Sequence, residues 1–340
     1  MAEKNKKVTM EDIAEHLHVS RALVSYALSD KYGVSEEMKK QILTTAVEMG
    51  YFDRNTMPRK NRKEVYVLVG AEFLNEGSFF TRIIAGIEDG AREQKLNMNL
   101  ITFQEESEMN GVVSKVTGGN TYGLIVIRQI SDEVAELLAK IHIPKVFVDL
   151  TSPQSSLYEV RINNFANMMS LTEYVIQKGH RKILFVGDVD WALSFEERYR
   201  GFVYTMKKHS LPCEAVIGSD KNEVYSFDRE AVRNKLKHNS YTAFVCVNDS
   251  VADYVYQDIK EQGFRIPEDI SVVGFDDVSK AVKYDPPLTT MHIPKFEMGK
   301  VAFEALADQY REGSHSKIIC LNADLKERES ICQCRETNQN

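Results

Sequence analysis

Residues 18–28 read HVSRALVSYAL. Val24, Ala27 and Leu28 follow the i, i+3, i+4 spacing that lays one apolar stripe along a short helix, and Ser20 stands where an N-cap hydroxyl belongs. The opposite face carries Ser20, Arg21, Ala22, Ser25 and Tyr26, which are small, hydroxylated or cationic, with no acid among them. The chain as a whole has 340 residues and a formal net charge of −7. That charge is unevenly placed: residues 1–63 hold twelve Lys and Arg against nine Asp and Glu, a net of +3, and the remainder sums to −10. A basic head on an acidic body points to a polyanion met by the head alone.

Around this stretch the first 52 residues read as three short helices. Thr9 caps the first, with Glu11 and Asp12 in its opening turn and Ile13, Ala14 and Leu17 on the inner face. Ser20 caps the second. Ser35 caps the third, with Glu36 and Glu37 in its first turn, Met38, Ile42, Ala46 and Met49 facing inward, and Gly50 as terminator. Two helices joined by a tight turn and braced by a third make a helix-turn-helix layout. Residues 53–64, DRNTMPRKNRKE, are polar and basic with Pro58 and no apolar period, and read as a linker.

From Val65 onward apolar runs alternate with helical segments. The runs are VYVLVG, MNLITF, GLIVI, KVFVDL, KILFVGD, AFVCVND and ISVVGFDD; the helices fall near 80–95, 132–141, 165–178, 194–209 and 249–262. Continuous apolar strands between helices mean doubly wound parallel sheets covered on both faces. About 275 residues of this pattern is long for one such sheet, so two lobes are expected. Ligands of open α/β sheets bind at the carboxyl ends of strands, where Asp149, Asn248, Asp249, Asp276 and Asp277 fall.

Lysines at the N-terminus have no apolar run behind them, and no stretch approaches the roughly 20 apolar residues of a membrane span. A cytoplasmic protein with no membrane partner is expected. Cys213, Cys246 and Cys320 lie in or beside apolar runs and read as buried thiols; the C-x-C of Cys332 and Cys334 lacks a second pair to complete a tetrahedral metal site. No Walker A, no G-x-S-x-G and no G-x-G-x-x-G after a strand is present, and no H-x-x-x-H. A non-enzyme without cofactor or metal is expected.

The sequence resembles the lactose-repressor (LacI/GalR) family of bacterial transcription regulators over essentially its whole length. The resemblance is carried by VTMEDIAEHLHVSRALVSYALSD, VSEEMKKQILTTAVEMGYF, KGHRKILFVGD, ERYRGF, GFRIPEDISVVGFDD and DPPLTTMHIPKFEMGKVAFEAL. It implies an all-α headpiece (1–52) that binds double-stranded DNA and a hinge (53–64). It further implies a periplasmic-binding-protein-like α/β effector domain (65–332), with one lobe near 65–161 and 294–322 and the other near 162–293. A homodimer or tetramer on a pseudo-palindromic operator follows, with residues 20–28 as the recognition helix. Arg21, Ala22 and Tyr26 match positions that touch base edges, where arginine can bond guanine bidentately. Ser20 sits at a helix N-terminus, which suits a phosphate, and Thr9, Ser25 and Ser35 are candidate phosphate donors.

The hinge departs from the family pattern. No leucine is available to wedge into the minor groove; Met57 and Pro58 stand there, and Met57 is the candidate wedge. In the effector domain the resemblance implies ligand contacts at Arg198, Asn248, Asp276 and Asp149, groups suited to the hydroxyls of a carbohydrate. Asp277 reads as structural. Phe79 and Phe80 match an aromatic pair, one for a sugar face and one for the core, and Trp191 and Tyr225 lie in loops near the same mouth. Two alternatives stay open: a sugar-binding or sugar-modifying protein without a DNA role, and a regulator that takes a phosphocarrier protein as co-effector.

Overall fold

A computed structural model of the protein describes residues 8–28, 34–49, 51, 63–71, 78–104, 106–117, 120–127, 130–149, 158–218, 227–237, 241–312 and 316–334. Lys4, Lys6, Lys7, Gly50, Met57, Pro58 and Tyr225 lie outside the described residues. The chain forms two compact units, Met1–Glu64 with Ala91–Asn97, and Val65–Gly90 with Met98–Asn340.

The first unit holds helices α1 (Met10–Leu17), α2 (Arg21–Leu28) and α3 (Glu36–Glu48). Local chemistry sets each start. Thr9 and Asp12 close a reciprocal capping box on α1; Ser20 Oγ accepts from Leu23 N at 3.1 Å and Ser35 Oγ from Met38 N at 3.3 Å. His18 ends α1 in the left-handed region (φ 54), and Val19 N returns to Ala14 O at 2.9 Å, which turns the chain into α2. Ile13, Ala14, Val24, Ala27, Leu28, Ile42 and Ala46 make the buried core, and Leu17, Met38 and Met49 pack against it. At roughly 1.5–3 kcal/mol for each fully buried large aliphatic side chain, Ile13, Val24 and Ile42 hold the three helices together.

The second unit contains two six-stranded sheets. Its elements are β1 (Glu64–Gly70), α4 (Ser78–Glu93), β2 (Asn97–Phe103), α5 (Met109–Thr117), β3 (Thr121–Ile127), α6 (Asp132–Ala139), β4 (Lys145–Val148) and β5 (Tyr158–Ile162). Next come α7 (Asn164–Gln177), β6 (Ile183–Gly187), α8 (Leu193–Lys208), β7 (Glu214–Ile217), α9 (Arg229–Lys237), β8 (Ala243–Cys246) and α10 (Asp249–Glu261). The chain ends with β9 (Ser271–Asp276), β10 (Thr289–His292), α11 (Lys295–Glu312), β11 (Lys317–Leu321) and β12 (Asp324–Lys326). The sheet orders are β11-β5-β4-β3-β1-β2 and β12-β10-β9-β8-β6-β7. The chain therefore crosses between lobes three times: between β5 and α7, between β10 and α11, and between β11 and β12.

The central strands β1, β3 and β4 of the first sheet are buried on both faces, which explains their unbroken apolar runs. Tyr66, Leu68, Leu124, Val126 and Phe147 face a cluster with Met109, Val112 and Val116 of α5 and Val134, Ala135 and Leu138 of α6. Helix α11 packs on β3, β4 and β5: a Cβ on Gly123 would stand 2.6 Å from Leu306 Cδ1. In the second lobe β6 to β10 pair in parallel, with α10 laid on β8 and β9 and α7 and α8 packed together. The last strand, β12, is antiparallel to β10, an edge addition that the alternating pattern does not announce. Cys320, expected buried, is exposed, because it lies on β11, an edge strand whose residues are all exposed or half-buried.

Candidate functional site

The carboxyl ends of β8 and β9 hold a dense polar network. Arg198, in the second turn of α8, is 3% exposed. Its Nε donates to Asn164 Oδ1 at 3.0 Å, its Nη1 to Val247 O at 2.9 Å, and its Nη2 stands 3.0 Å from Asp276 Oδ1. The guanidinium plane lies 3.9 Å from the centroid of the Phe275 ring, a stacking contact that keeps the fork flat and aimed. Asn164 Nδ2 donates in turn to Glu197 Oε2 at 3.2 Å, and Glu197 Oε1 meets Arg161 Nη1 of the other lobe at 3.5 Å.

Asp276 and Asp277 both have positive φ, 106 and 50, which turns their carbonyls toward Lys295. The Lys295 ammonium, from the first turn of α11, donates to Asp276 O and, at 3.1 Å, to Asp277 O. It stands 5.5 Å from the centroid of the Phe79 ring. Burial pushes Lys295 below its ordinary value, and the carboxylates of Asp276, Asp249 and Asp277 pull the other way. Asp277 is a structural member of the group: its carboxylate takes Arg328 Nη2 at 2.7 Å and His292 Nδ1 at 2.8 Å. Burial works to raise its pKa, and Arg328 and His292 outweigh that and hold it low. Asp249 is wholly buried, accepts from Thr290 Oγ1 at 2.6 Å and Val278 N at 2.9 Å, and is pushed up to about 8 by burial and by Asp276.

Of the residues singled out from sequence, Arg198 and Asp276 meet directly, and Asn248 joins them through Val247. Asn248 is 2% exposed and caps α10, its Oδ1 accepting from Val251 N at 2.9 Å, so part of its polarity is spent on the fold. Phe79 reaches the network through Lys295, whereas Phe80 is buried at 1% and meets Phe79 edge-on at 4.9 Å. Asp149 ends β4 in the left-handed region, with its amide donating to Val160 O at 3.0 Å. Trp191 is half-buried in the loop between β6 and α8. Sequence reasoning missed Lys295, Asn164 and Glu197. The signal for Lys295 was a lysine flanked by the apolar Ile293, Pro294 and Phe296.

In the first unit Arg21 begins α2 with its side chain 68% exposed, 3.5 Å from Glu11 Oε2. Ala22 is exposed, Ser25 half-buried and Tyr26 46% exposed, and no acid lies in the helix's first turn. Thr9 Oγ1 donates to Asp12 Oδ2 at 2.7 Å, so its one hydroxyl proton is engaged within the cap. Among the described residues no cluster of His, Cys, Asp or Glu could hold a metal ion, and no helix is long and apolar enough to cross a membrane.

A three-helix unit with an acid-free second helix, followed in the chain by two linked α/β lobes, defines a helix-turn-helix protein with a periplasmic-binding-protein-like module. The comparisons agree. Residues 9–53 match the model of bacterial regulatory proteins of the lacI family, and residues 172–331 match the periplasmic binding protein-like domain. The chain thus carries a LacI-family helix-turn-helix domain and a periplasmic binding protein-like domain. It is 27% identical over 336 residues to the ribose operon repressor of Haemophilus influenzae, covering 95% of this chain and 98% of that protein. It is 28% identical over 340 residues to the HTH-type transcriptional repressor PurR of Vibrio atlanticus, with the same coverage. Among solved structures it is similar to the lac repressor dimer bound to operator and the anti-inducer ONPF, with a TM-score of 0.70 and 20% identity, covering 96% of this chain and 100% of that one. It is also similar to a LacI family regulator from Enterococcus faecium with bound ribose, with a TM-score of 0.66 and 22% identity, covering 80% of this chain and 100% of that one.

Proposed function

We propose that this protein is a transcriptional repressor that reads a pseudo-palindromic operator as a homodimer or tetramer, and whose hold on DNA is set by a small ligand between the two lobes. The ligand is a sugar or sugar derivative. The single observation that carries this reading is the Arg198–Asp276 pair, formed between α8 and the carboxyl end of β9, with Phe79 of the other lobe joined to it through Lys295. An ionised carboxylate only accepts hydrogen bonds, which suits a pair of ligand hydroxyls. Asn248 and Asp149 supply further polar contacts, Phe79 a ring for a sugar face, and Trp191 a further aromatic contact. Relatives and neighbours described by ribose support the sugar class.

On the DNA side Arg21 and Tyr26 read base edges, Ala22 offers a methyl to thymine, and Ser20, Ser25 and Ser35 meet phosphates, whereas the Thr9 hydroxyl is spent on its cap. Met57 is the candidate minor-groove wedge. An acid-free helix start favours this reading over a sugar-binding protein whose headpiece serves assembly alone. The test is selection of binding sites from a random duplex library by the full chain, then titration of the selected duplex with D-ribose, cellobiose and hypoxanthine. A shift of at least tenfold in operator affinity with a sugar is expected. A shift with hypoxanthine alone overturns the sugar class, and failure to select any duplex overturns the regulator.

A further inference from the structure

Lys295 is 6% exposed, and an ammonium so placed is costly unless each of its three protons has an acceptor. The surroundings supply three: Asp276 O, Asp277 O and the face of Phe79. The two carbonyls belong to the end of β9, in the second lobe. Lys295 itself and Phe79 belong to the first lobe, on helices that are packed as one block: a Cβ on Gly86 of α4 would stand 2.0 Å from Phe296 O, and one on Gly299 of α11 would stand 2.0 Å from Ile83 O. The other face of the same strand end carries the Asp276 carboxylate, engaged with Arg198.

We infer that Lys295 is a positioning residue that ties the ligand-bearing end of β9 to the opposite lobe, so that a ligand drawn onto Asp276 is felt at the first turn of α4. The inference rests on the proposed ligand site at Asp276. Any displacement of that residue's backbone changes the carbonyl geometry at Lys295, and the ammonium passes it to Phe79 because α4 and α11 cannot slide apart. Charged groups facing the ammonium from the packed elements are Asp276, Asp249 and Asp277 from the second lobe and Arg82 from α4. Burial lowers the pKa of the ammonium, and the carboxylates oppose that lowering.

Amide hydrogen exchange on the ligand-free full chain tests this, and its outcome does not depend on whether any sugar binds. Lys295→Met is expected to speed exchange at least fivefold at Val278, whose amide is bonded to Asp249, and at Arg82 and Ile83 in α4. The strand amides of Phe244 and Val245 stay unchanged, and Lys295→Arg, which keeps a cationic donor, changes all of these less than twofold. Acceleration confined to one lobe, or absent from both, overturns the inference, because a mere brace would act only on its own side. If Lys295→Met loosens Phe244 and Val245 as well, Phe79→Leu decides. It removes only the ring, and coupling is reciprocal, so it must speed Val278 across the lobe boundary at least twofold; an unchanged Val278 overturns the inference.

Discussion

Arg198 Nη2 stands 3.0 Å from Asp276 Oδ1, with side chains only 4% and 13% exposed, and Phe275 stacks beneath the guanidinium at 3.9 Å. Asp276 is therefore both a candidate ligand contact and the counter-charge of a buried cation. Breaking such a pair from one side leaves an uncompensated charge and costs about 3–5 kcal/mol. Asp276→Ala is expected to lower the thermal midpoint by roughly 6–20 °C, and Arg198→Met in the same chain to recover more than half of the loss. Scanning calorimetry of the three proteins checks it; a single variant that melts with the wild type would show the pair to be solvated instead.

Arg21 sits on the surface beside Glu11 at 3.5 Å, with 68% and 62% of the two side chains exposed. Exposed pairs of this kind are worth about 0–1 kcal/mol, so Glu11→Gln is expected to leave headpiece stability within about 0.5 kcal/mol. Removing that acid should tighten DNA binding severalfold, since the arginine is released to the duplex. Arg21→Ala should erase the preference for one base in each half-site, a discrimination of about 1–3 kcal/mol. Selected-site sequencing reads both, and an unchanged motif for Arg21→Ala would take this residue off the bases.

Much of the architecture was legible because each signal was local. The headpiece caps Thr9, Ser20 and Ser35 act within three residues of themselves, and each of the seven apolar runs contains a strand, buried throughout in the sheet interiors and partly exposed in the edge strand β2. Tyr158–Ile162 escaped, since Glu159 and Arg161 interrupt its apolar pattern; Arg161 is tolerated there by Glu197, 36 positions away. Lys317–Leu321 and Glu214–Ile217 lie at sheet edges, where strands need not be continuously apolar. Lys295 escaped for a different reason. Its role depends on two left-handed carbonyls, at Asp276 and Asp277, and no local pattern announces that Lys295 will meet them.

The packing of α4 on α11 makes a prediction with no ambiguity of sign. A Cβ at Gly86 would fall 2.0 Å from the backbone oxygen of Phe296 and 3.1 Å from Gly299 Cα. Backbone cannot swing aside as a side chain can, so Gly86→Ala must push the helices apart. Overpacking of this kind costs about 1–3 kcal/mol or more. Gly111, with nothing within 4 Å of its added Cβ, is the control: Gly111→Ala is expected to stabilise α5 slightly, by up to about 1 kcal/mol. Urea titrations of the two variants should move in opposite directions, and equal midpoints would mean that the helices do not make this close approach.

Asp249 gives the chain a pH dependence of unusual sign. Its carboxyl is wholly buried, and burial together with the charge of Asp276 raises its pKa from an ordinary 3.8 to about 8. The folded chain therefore holds a proton at this site that the unfolded chain releases near pH 4. Where the folded state binds more protons, stability falls as pH rises. The contribution is complete below about pH 4, declines through the neutral range and is lost above about pH 8. Asn mimics the protonated acid: its Oδ1 can accept from Val278 N while its Nδ2 donates to Thr290 Oγ1, the two partners Asp249 already has. Asp249→Asn is thus expected to melt a few degrees above the wild type at pH 5, and its lead is expected to grow by at least about 5 °C at pH 8.5. Thermal scans at the two pH values decide the matter. A variant that is less stable than the wild type at pH 8.5 would show that Asp249 is ionised in the folded chain and held by the Thr290 and Val278 hydrogen bonds.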